Sequence, residues 1–261
     1  DRLPVPTTAE QIAQREVLRA ATAERSEKLA AKNEVWASQV EPLADRLRQA
    51  GLTVDRNTFA STRFQNELAR AARTLPRDVR AAATVAVEDY ARASRDLVQA
   101  SEALGVAGGG LAASLLHPEG RTITSSDGSP GVKDTFDRTV YDASAVPILT
   151  IVEEKGAGST LGTRRVDDLD NPGQRIVAQQ CSPEYVHDLL GNDTALAAAL
   201  QSEPQLYQDV QSTVKGSNGG AVECLLVHTS AEGAVNAVPY LLDLDRLRRD
   251  TIRIPSDEGA R

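Results

Sequence analysis

The chain changes texture once, near Gly105, and that change constrains its fold more than any other feature. From Thr7 to Gly105 alanine, arginine, glutamate and leucine dominate, with few glycines and almost no β-branched clusters, which is helix composition. Beyond it, β-branched and alternating segments lie between Gly-rich stretches, the pattern of strands and turns. Strands there come both before and after helical segments, so a mixed α/β arrangement is expected. The overall class is then α+β: a helical bundle or set of hairpins over 1–105, a Gly/Ser-rich linker over 106–130, a mixed α/β domain with a central mixed sheet over 131–250, and a tail over 251–261.

Local signals set the helix boundaries. Thr7-x-x-Glu10 reads as a capping box, and the helix it starts runs past Trp36 toward Pro42. A shorter segment, Leu43 to Ala50, stops at Gly51, and Asn57 is placed to cap the next, which carries Phe59, Phe64 and Leu68. Pro76 fits the first turn of a long helix with Val79, Val87, Tyr90, Leu97 and Leu104 on one face, ended by Gly105. Gly108-Gly109-Gly110 and the segment Ser125 to Gly131 read as hinges. Charges in this half are mixed in sign at i,i+3 and i,i+4 spacings, as on a solvated face. A spacer, delivery or partner-binding role suits it, and no catalytic constellation falls within it.

The net charge of −8 is unevenly distributed. Residues 1–105 carry 16 Lys/Arg against 15 Asp/Glu, whereas 106–261 carry 13 against 22, which argues against passive binding to a polyanion. No apolar run approaches the roughly 20 residues needed to cross a bilayer. The chain begins at Asp1 and contains no methionine, as expected of a piece of a longer protein. Cys181 and Cys224 are expected as free thiols, with a single bridge as the alternative. His117, His187 and His228 lack zinc-site spacing.

One strand ends in an unusual way. The run Ile148-Leu149-Thr150-Ile151-Val152 is a buried-strand pattern, yet Glu153-Glu154-Lys155 follows before Gly156. Side chains two apart share a face of a strand, so Glu153 and Lys155 lie on the face of Leu149 and Ile151, and Glu154 on the other. A preceding strand over Thr135 to Tyr141, joined by a turn at Asp142 to Ala145, brings Asp137 to the same end. Two carboxylates and an ammonium then meet, and such a group suits Mg²⁺-assisted phosphodiester hydrolysis. Further on, 183–190 and 194–214 read as helices, and 221–228 with 234–242 as a hairpin around Ser230-Ala231-Glu232-Gly233.

These pieces carry a resemblance. Phe136-Asp137 with Tyr141, Glu153-x-Lys155-Gly156, Leu161-Gly162-x-Arg164 and Gln179-Gln180-x-Ser182-x-Glu184-Tyr185 occur in the order found in PD-(D/E)XK (restriction-endonuclease-like) nuclease domains of bacterial polymorphic toxins. The stretch covers roughly 131–245, and the helical half resembles, more loosely, the delivery segments of type VII-secreted toxins. The likeness implies Asp137 and Glu153 as ligands to Mg²⁺ or Mn²⁺, Lys155 as the catalytic lysine, and Gln180 supporting them. It implies Gln179, Arg164 and Arg165 as substrate contacts, and Glu102 or Glu119 as a further acidic residue. Glu154 stands where alanine is usual, Cys181 where glycine is usual, and Phe136 in the place of the motif's proline. Basic Lys133, Arg138, Arg164, Arg165 and Arg175 are expected on one side.

The expected activity is a Mg²⁺-dependent nuclease, with DNA favoured over RNA, forming the toxic domain of a secreted effector. It would act in the cytoplasm of a target cell, with an immunity protein in the producer and a small helical secretion partner for the first half. The alternative is a non-catalytic adaptor with a degenerate nuclease-like fold. A thiol hydrolase using Cys181 and His187 is disfavoured, because six residues apart on a helix is a poor spacing for shared chemistry.

Overall fold

A computed structural model describes residues 3–126, 134–171 and 173–243. Most of the expected hinge over Ser125 to Gly131, Lys133 beyond it, and the tail over 251–261 lie outside the described residues. The fold is α+β. The chain divides into two compact units, one of Ala23–Ala100 and one of Asp1–Thr22 with Ser101–Arg261.

The first unit is helical. It takes in the second half of α1 (Ala9–Val35), a π turn at Trp36–Val40, α2 (Glu41–Gln49), α3 (Thr62–Arg70) and the first part of α4 (Arg77–Leu116). Its core is aromatic. Trp36 meets Phe59 and Tyr90 edge-on at centroid distances of 5.7 and 5.4 Å, and Tyr90 donates its phenolic hydrogen to the Arg56 carbonyl at 3.0 Å. Pro42 does not break the path but sits in the first turn of α2, where a missing N–H costs nothing. Asn57 is not a cap. Ser61 does that work for α3, accepting the Phe64 N–H at 3.1 Å, because the chain around 55–58 is held in a turn by Asp55.

The second unit is a five-stranded sheet in the order β1-β2-β3-β6-β7, with a separate two-stranded ribbon β4-β5. The strands are β1 (Arg121–Ser125), β2 (Arg138–Asp142), β3 (Ile148–Lys155), β4 (Thr163–Asp167), β5 (Arg175–Gln179), β6 (Ala221–Thr229) and β7 (Val235–Leu241). Central β3 runs antiparallel to β2 and parallel to β6. One of its faces, with Leu149 and Ile151, packs on Val186, Leu189, Leu200 and Val210 of helices α5 (Pro183–Asn192), α6 (Thr194–Gln201) and α7 (Pro204–Val214). Its other face packs Val152, with Leu225 and Val227 of β6, against Ala112 and Ala113 at the end of α4. The expected single helix over 194–214 is two, broken before Pro204.

The start of α1 and the end of α4 also differ from expectation. The first cap is Thr8, not Thr7: Thr8 Oγ1 accepts the Gln11 N–H at 3.2 Å, and Gln11 Oε1 reaches back to the Thr7 and Thr8 N–H groups. Either threonine satisfies the motif. Gln11 wins because its amide also donates to the Ser114 carbonyl at 2.9 Å.

The second correction concerns the glycines. Gly105 does not end α4, which continues through Gly108-Gly109-Gly110 to Leu116. The expected linker over 106–130 is therefore helix up to Leu116 and strand from Arg121 to Ser125. These glycines form a close-approach surface: a Cβ on Gly105 would lie 2.8 Å from the Gly156 nitrogen, and one on Gly109 would lie within 2.4 Å of the Glu154 Cγ. Nothing larger fits between this helix and the end of β3.

In an ordinary helix interior a glycine-to-alanine change stabilises by about 1 kcal/mol. Here Gly105→Ala is expected to destabilise by roughly 1–3 kcal/mol through overpacking, measured by urea denaturation of the whole chain. A neutral or stabilising result would restore the hinge reading.

Candidate active site

The register of β2 and β3 builds the site. Arg138 pairs with Val152, so the next residue out on each strand is Asp137 and Glu153. Asp137 lies just before β2, where its Oδ2 accepts the Glu154 N–H at 2.8 Å, which fixes the carboxylate at the strand end. Lys155 Nζ stands 3.8 Å from Asp137 Oδ2 and 3.6 Å from Glu153 Oε2. Gln180, at the end of β5, donates its amide to Glu153 Oε2 at 2.5 Å and accepts the Gly162 N–H at 2.6 Å. Four of the predicted site residues, Asp137, Glu153, Lys155 and Gln180, therefore meet.

The strand's alternation places Glu154 on the opposite face. Its carboxylate pairs with Arg138 Nε at 2.7 Å, and both side chains are largely buried. The three charges at the end of β3 are thus shared between two faces. Burial raises the Glu154 carboxyl, and the Arg138 guanidinium pulls it back.

Electrostatics distinguish Glu153 from a surface carboxylate. Its side chain is 2% exposed, and burial pushes its carboxyl up to about 8, helped by the Asp137 charge and opposed by the Lys155 ammonium. Asp137 remains 31% exposed and is the side from which solvent and a ligand can enter. Tyr185 OH lies 3.4 Å from the Gln180 amide, and burial followed by the Glu153 charge pushes the phenol up to about 12. Tyr185 is thus both core aromatic and site wall.

The donor set fits one hard divalent cation. A carboxylate raised by burial and then by a second carboxylate beside it can be relieved either by a proton or by a metal, and Mg²⁺ commonly takes one or two carboxylates with water in its other positions. Glu102 and Glu119 do not enlarge the set: among the described residues no group of three or more His, Cys, Asp or Glu is placed to hold a metal.

The other predicted contacts fare differently. Arg164 is engaged by Asp134 at 2.7 Å and Asp188 at 2.9 Å. Arg165 and Gln179 lie on the exposed face of the β4-β5 ribbon, together with Val177. Arg175 pairs with Asp167 at 3.7 Å, and Arg138 is committed to Glu154, so the expected basic face does not form from these residues. The short, charged strands of the ribbon carry too little apolar alternation to be read from sequence.

The cysteines are the clearest correction. Cys181 and Cys224 form a disulfide with a Cα separation of 5.3 Å, so no thiol remains for hydrolase chemistry. Distance in sequence hid this pair, since 43 residues separate them. Also unforeseen is a buried cluster at the opposite end of β3, where His117 Nε2 meets Glu223 Oε1 at 2.7 Å and Thr150 Oγ1 donates to the same carboxylate oxygen at 2.9 Å.

Among known proteins, no family model, no curated protein and no solved structure matches the chain.

A carboxyl raised in the folded state keeps a proton that the unfolded chain has released. The Glu153 contribution to stability is therefore complete below its ordinary value near 4.5 and is lost as pH rises through about 8. In metal-free buffer, stability from urea titrations should fall more steeply across that window in the native protein than in Glu153→Gln. The difference is at most about 1.4 kcal/mol per pH unit. Identical slopes would contradict a buried, protonated Glu153.

Proposed function

We propose that the chain carries a metal-dependent phosphodiester hydrolase, with DNA as the favoured substrate. One observation carries the reading: Asp137, Glu153 and Lys155 converge at a strand end, with Lys155 Nζ within 3.8 Å of both carboxylates. The order of motifs, which resembles PD-(D/E)XK nuclease toxin domains, supports it. On that likeness the protein is the toxic part of a secreted effector acting in a target cell's cytoplasm, with an immunity protein as its inhibitor and a small helical partner for the first half.

Each residue then has a role. Asp137 and Glu153 would hold Mg²⁺ or Mn²⁺, which supplies charge neutralisation at phosphate and a more acidic bound water. Lys155 orients the attacking water and offsets negative charge developing on the phosphorus-bound oxygens. Gln180 fixes the rotamer of Glu153, and Arg165 and Gln179 on the ribbon are free to meet the polyanion. No helix among the described residues is long and apolar enough to cross a membrane.

A second reading has its own observation. Arg138 and Arg164 are consumed by internal ion pairs while residues 106–261 are acidic overall, which favours a non-catalytic adaptor that docks a basic protein.

Incubation of the purified chain with plasmid DNA and with RNA separates the two. The nuclease cleaves with Mg²⁺ or Mn²⁺, stops on chelation, and loses at least about a hundredfold in rate in Lys155→Ala. Absence of any turnover with either metal, or full activity in Lys155→Ala, would leave the adaptor reading.

A further inference from the structure

We propose that the Cys181–Cys224 disulfide is a thiol-exchange site that sets the position of Gln180, and through it the geometry around Glu153. The importance of that geometry for catalysis rests on the nuclease reading; the coupling between the bridge and Gln180 does not.

A short covalent and hydrogen-bonded path links the bridge to the carboxylate. Gln179 to Ser182 form a turn closed by the Ser182 N–H donating to the Gln179 carbonyl at 3.0 Å. Cys181 is the third residue of that turn and has φ of 68°, a left-handed conformation that residues with a Cβ avoid. Gln180 is the second residue, and its amide spans Glu153 and the Gly162 N–H. Ser182 then caps α5 by accepting the Tyr185 N–H at 3.3 Å. The turn thus fixes both Gln180 and the helix that carries Tyr185.

The bridge supplies what holds Cys181 in that conformation. Cys224 is fully buried on β6, directly beside Ile151 in the parallel register, two residues before Glu153 and within the same core. The disulfide therefore ties the turn to the sheet face from which Glu153 projects. Cys181 is the less buried partner, and thiolate attack is assigned to its sulfur.

The chemistry balances with an external dithiol. One thiolate of the dithiol attacks Cys181 Sγ, forming a mixed disulfide and expelling Cys224 as a thiolate that takes up a proton. The second thiol of the reagent then attacks its own sulfur in the mixed disulfide, releasing Cys181 as a thiol and leaving the reagent as a cyclic disulfide. Two electrons pass to the protein. Once free, Cys181 relaxes toward negative φ, the turn reorients, and Gln180 withdraws from Glu153. The oxidised chain is the competent form, so the reducing cytoplasm of the producing cell holds it back before secretion, and its activity in a target cell lasts until the bridge is reduced there.

Glycine and alanine at position 181 distinguish this device from simple cross-linking. Both Cys181→Gly/Cys224→Ala and Cys181→Ala/Cys224→Ala lack the bridge, but only glycine adopts positive φ freely. The first readout is the side-chain amide signal of Gln180 in ¹⁵N-labelled protein, assigned by its absence from Gln180→Glu. Cleavage rate is the second. Reduction of the native chain with dithiothreitol should shift the amide signal to that of a solvated glutamine and lower the rate roughly five- to thirtyfold, the occupancy ratio expected for a left-handed residue bearing a Cβ. The alanine variant should match the reduced protein, and the glycine variant should match the oxidised one while ignoring dithiothreitol. An unmoved amide signal on reduction, or glycine and alanine variants that behave alike, would overturn the proposal. If no form cleaves nucleic acid, the nuclease reading fails while the amide signal still decides the coupling.

Discussion

Three consecutive charged residues close the central strand of a buried sheet, and much of the second unit is arranged to satisfy them. A carboxylate cannot be taken out of water without partners, because the desolvation cost exceeds what a single distant charge returns. Strand alternation divides the problem between two faces. Glu154 is met by Arg138 beneath the glycine surface of α4, and Glu153 is met by Lys155, Gln180 and Asp137 on the face of α5. The glycines of α4, the register of β2 with β3 and the turn at Gln179 to Ser182 are each required by that division.

The two faces differ in what they leave over. The Glu154 and Arg138 pair is one negative charge against one positive, shut away from solvent, which is a structural solution. On the other face two carboxylates stand against one ammonium; burial raises Glu153 and Glu154 alike, but for Glu153 the next cause is the neighbouring Asp137 charge, whereas for Glu154 it is the opposing Arg138 guanidinium. A proton answers that surplus in the free protein; a divalent cation answers it better, because it neutralises both carboxylates at once and can still bind an oxygen ligand through its open positions. An excess of charge that can be traded for a ligand separates a site from a salt bridge.

What could be read in the sequence was what depends on local geometry. Parity along β3 and a short turn to β2 suffice to bring Asp137, Glu153 and Lys155 together, because a strand leaves only two directions for a side chain. The β6-β7 hairpin was legible for the same reason. Glycine was ambiguous, since Gly108-Gly109-Gly110 has one composition whether it swings freely or presses against a neighbour, and only the packing of Glu154 and Thr229 tells which. The Cys181–Cys224 bridge and the His117, Thr150 and Glu223 cluster depend on contacts across long separations, which no local pattern reports. Thr7 and Thr8 present the same chemistry to a helix start, and a distant carbonyl at Ser114 chooses between them.

Calorimetric titration of the metal-free chain with Mn²⁺ near neutral pH, in buffers of different ionisation enthalpy, shows whether Asp137 and Glu153 hold a cation in exchange for a proton. A single ion should bind per chain, with release of up to about one proton as the metal displaces it from Glu153, and both signals should be lost in Asp137→Asn. Binding that releases no proton, or that persists unchanged in Asp137→Asn, would contradict that exchange.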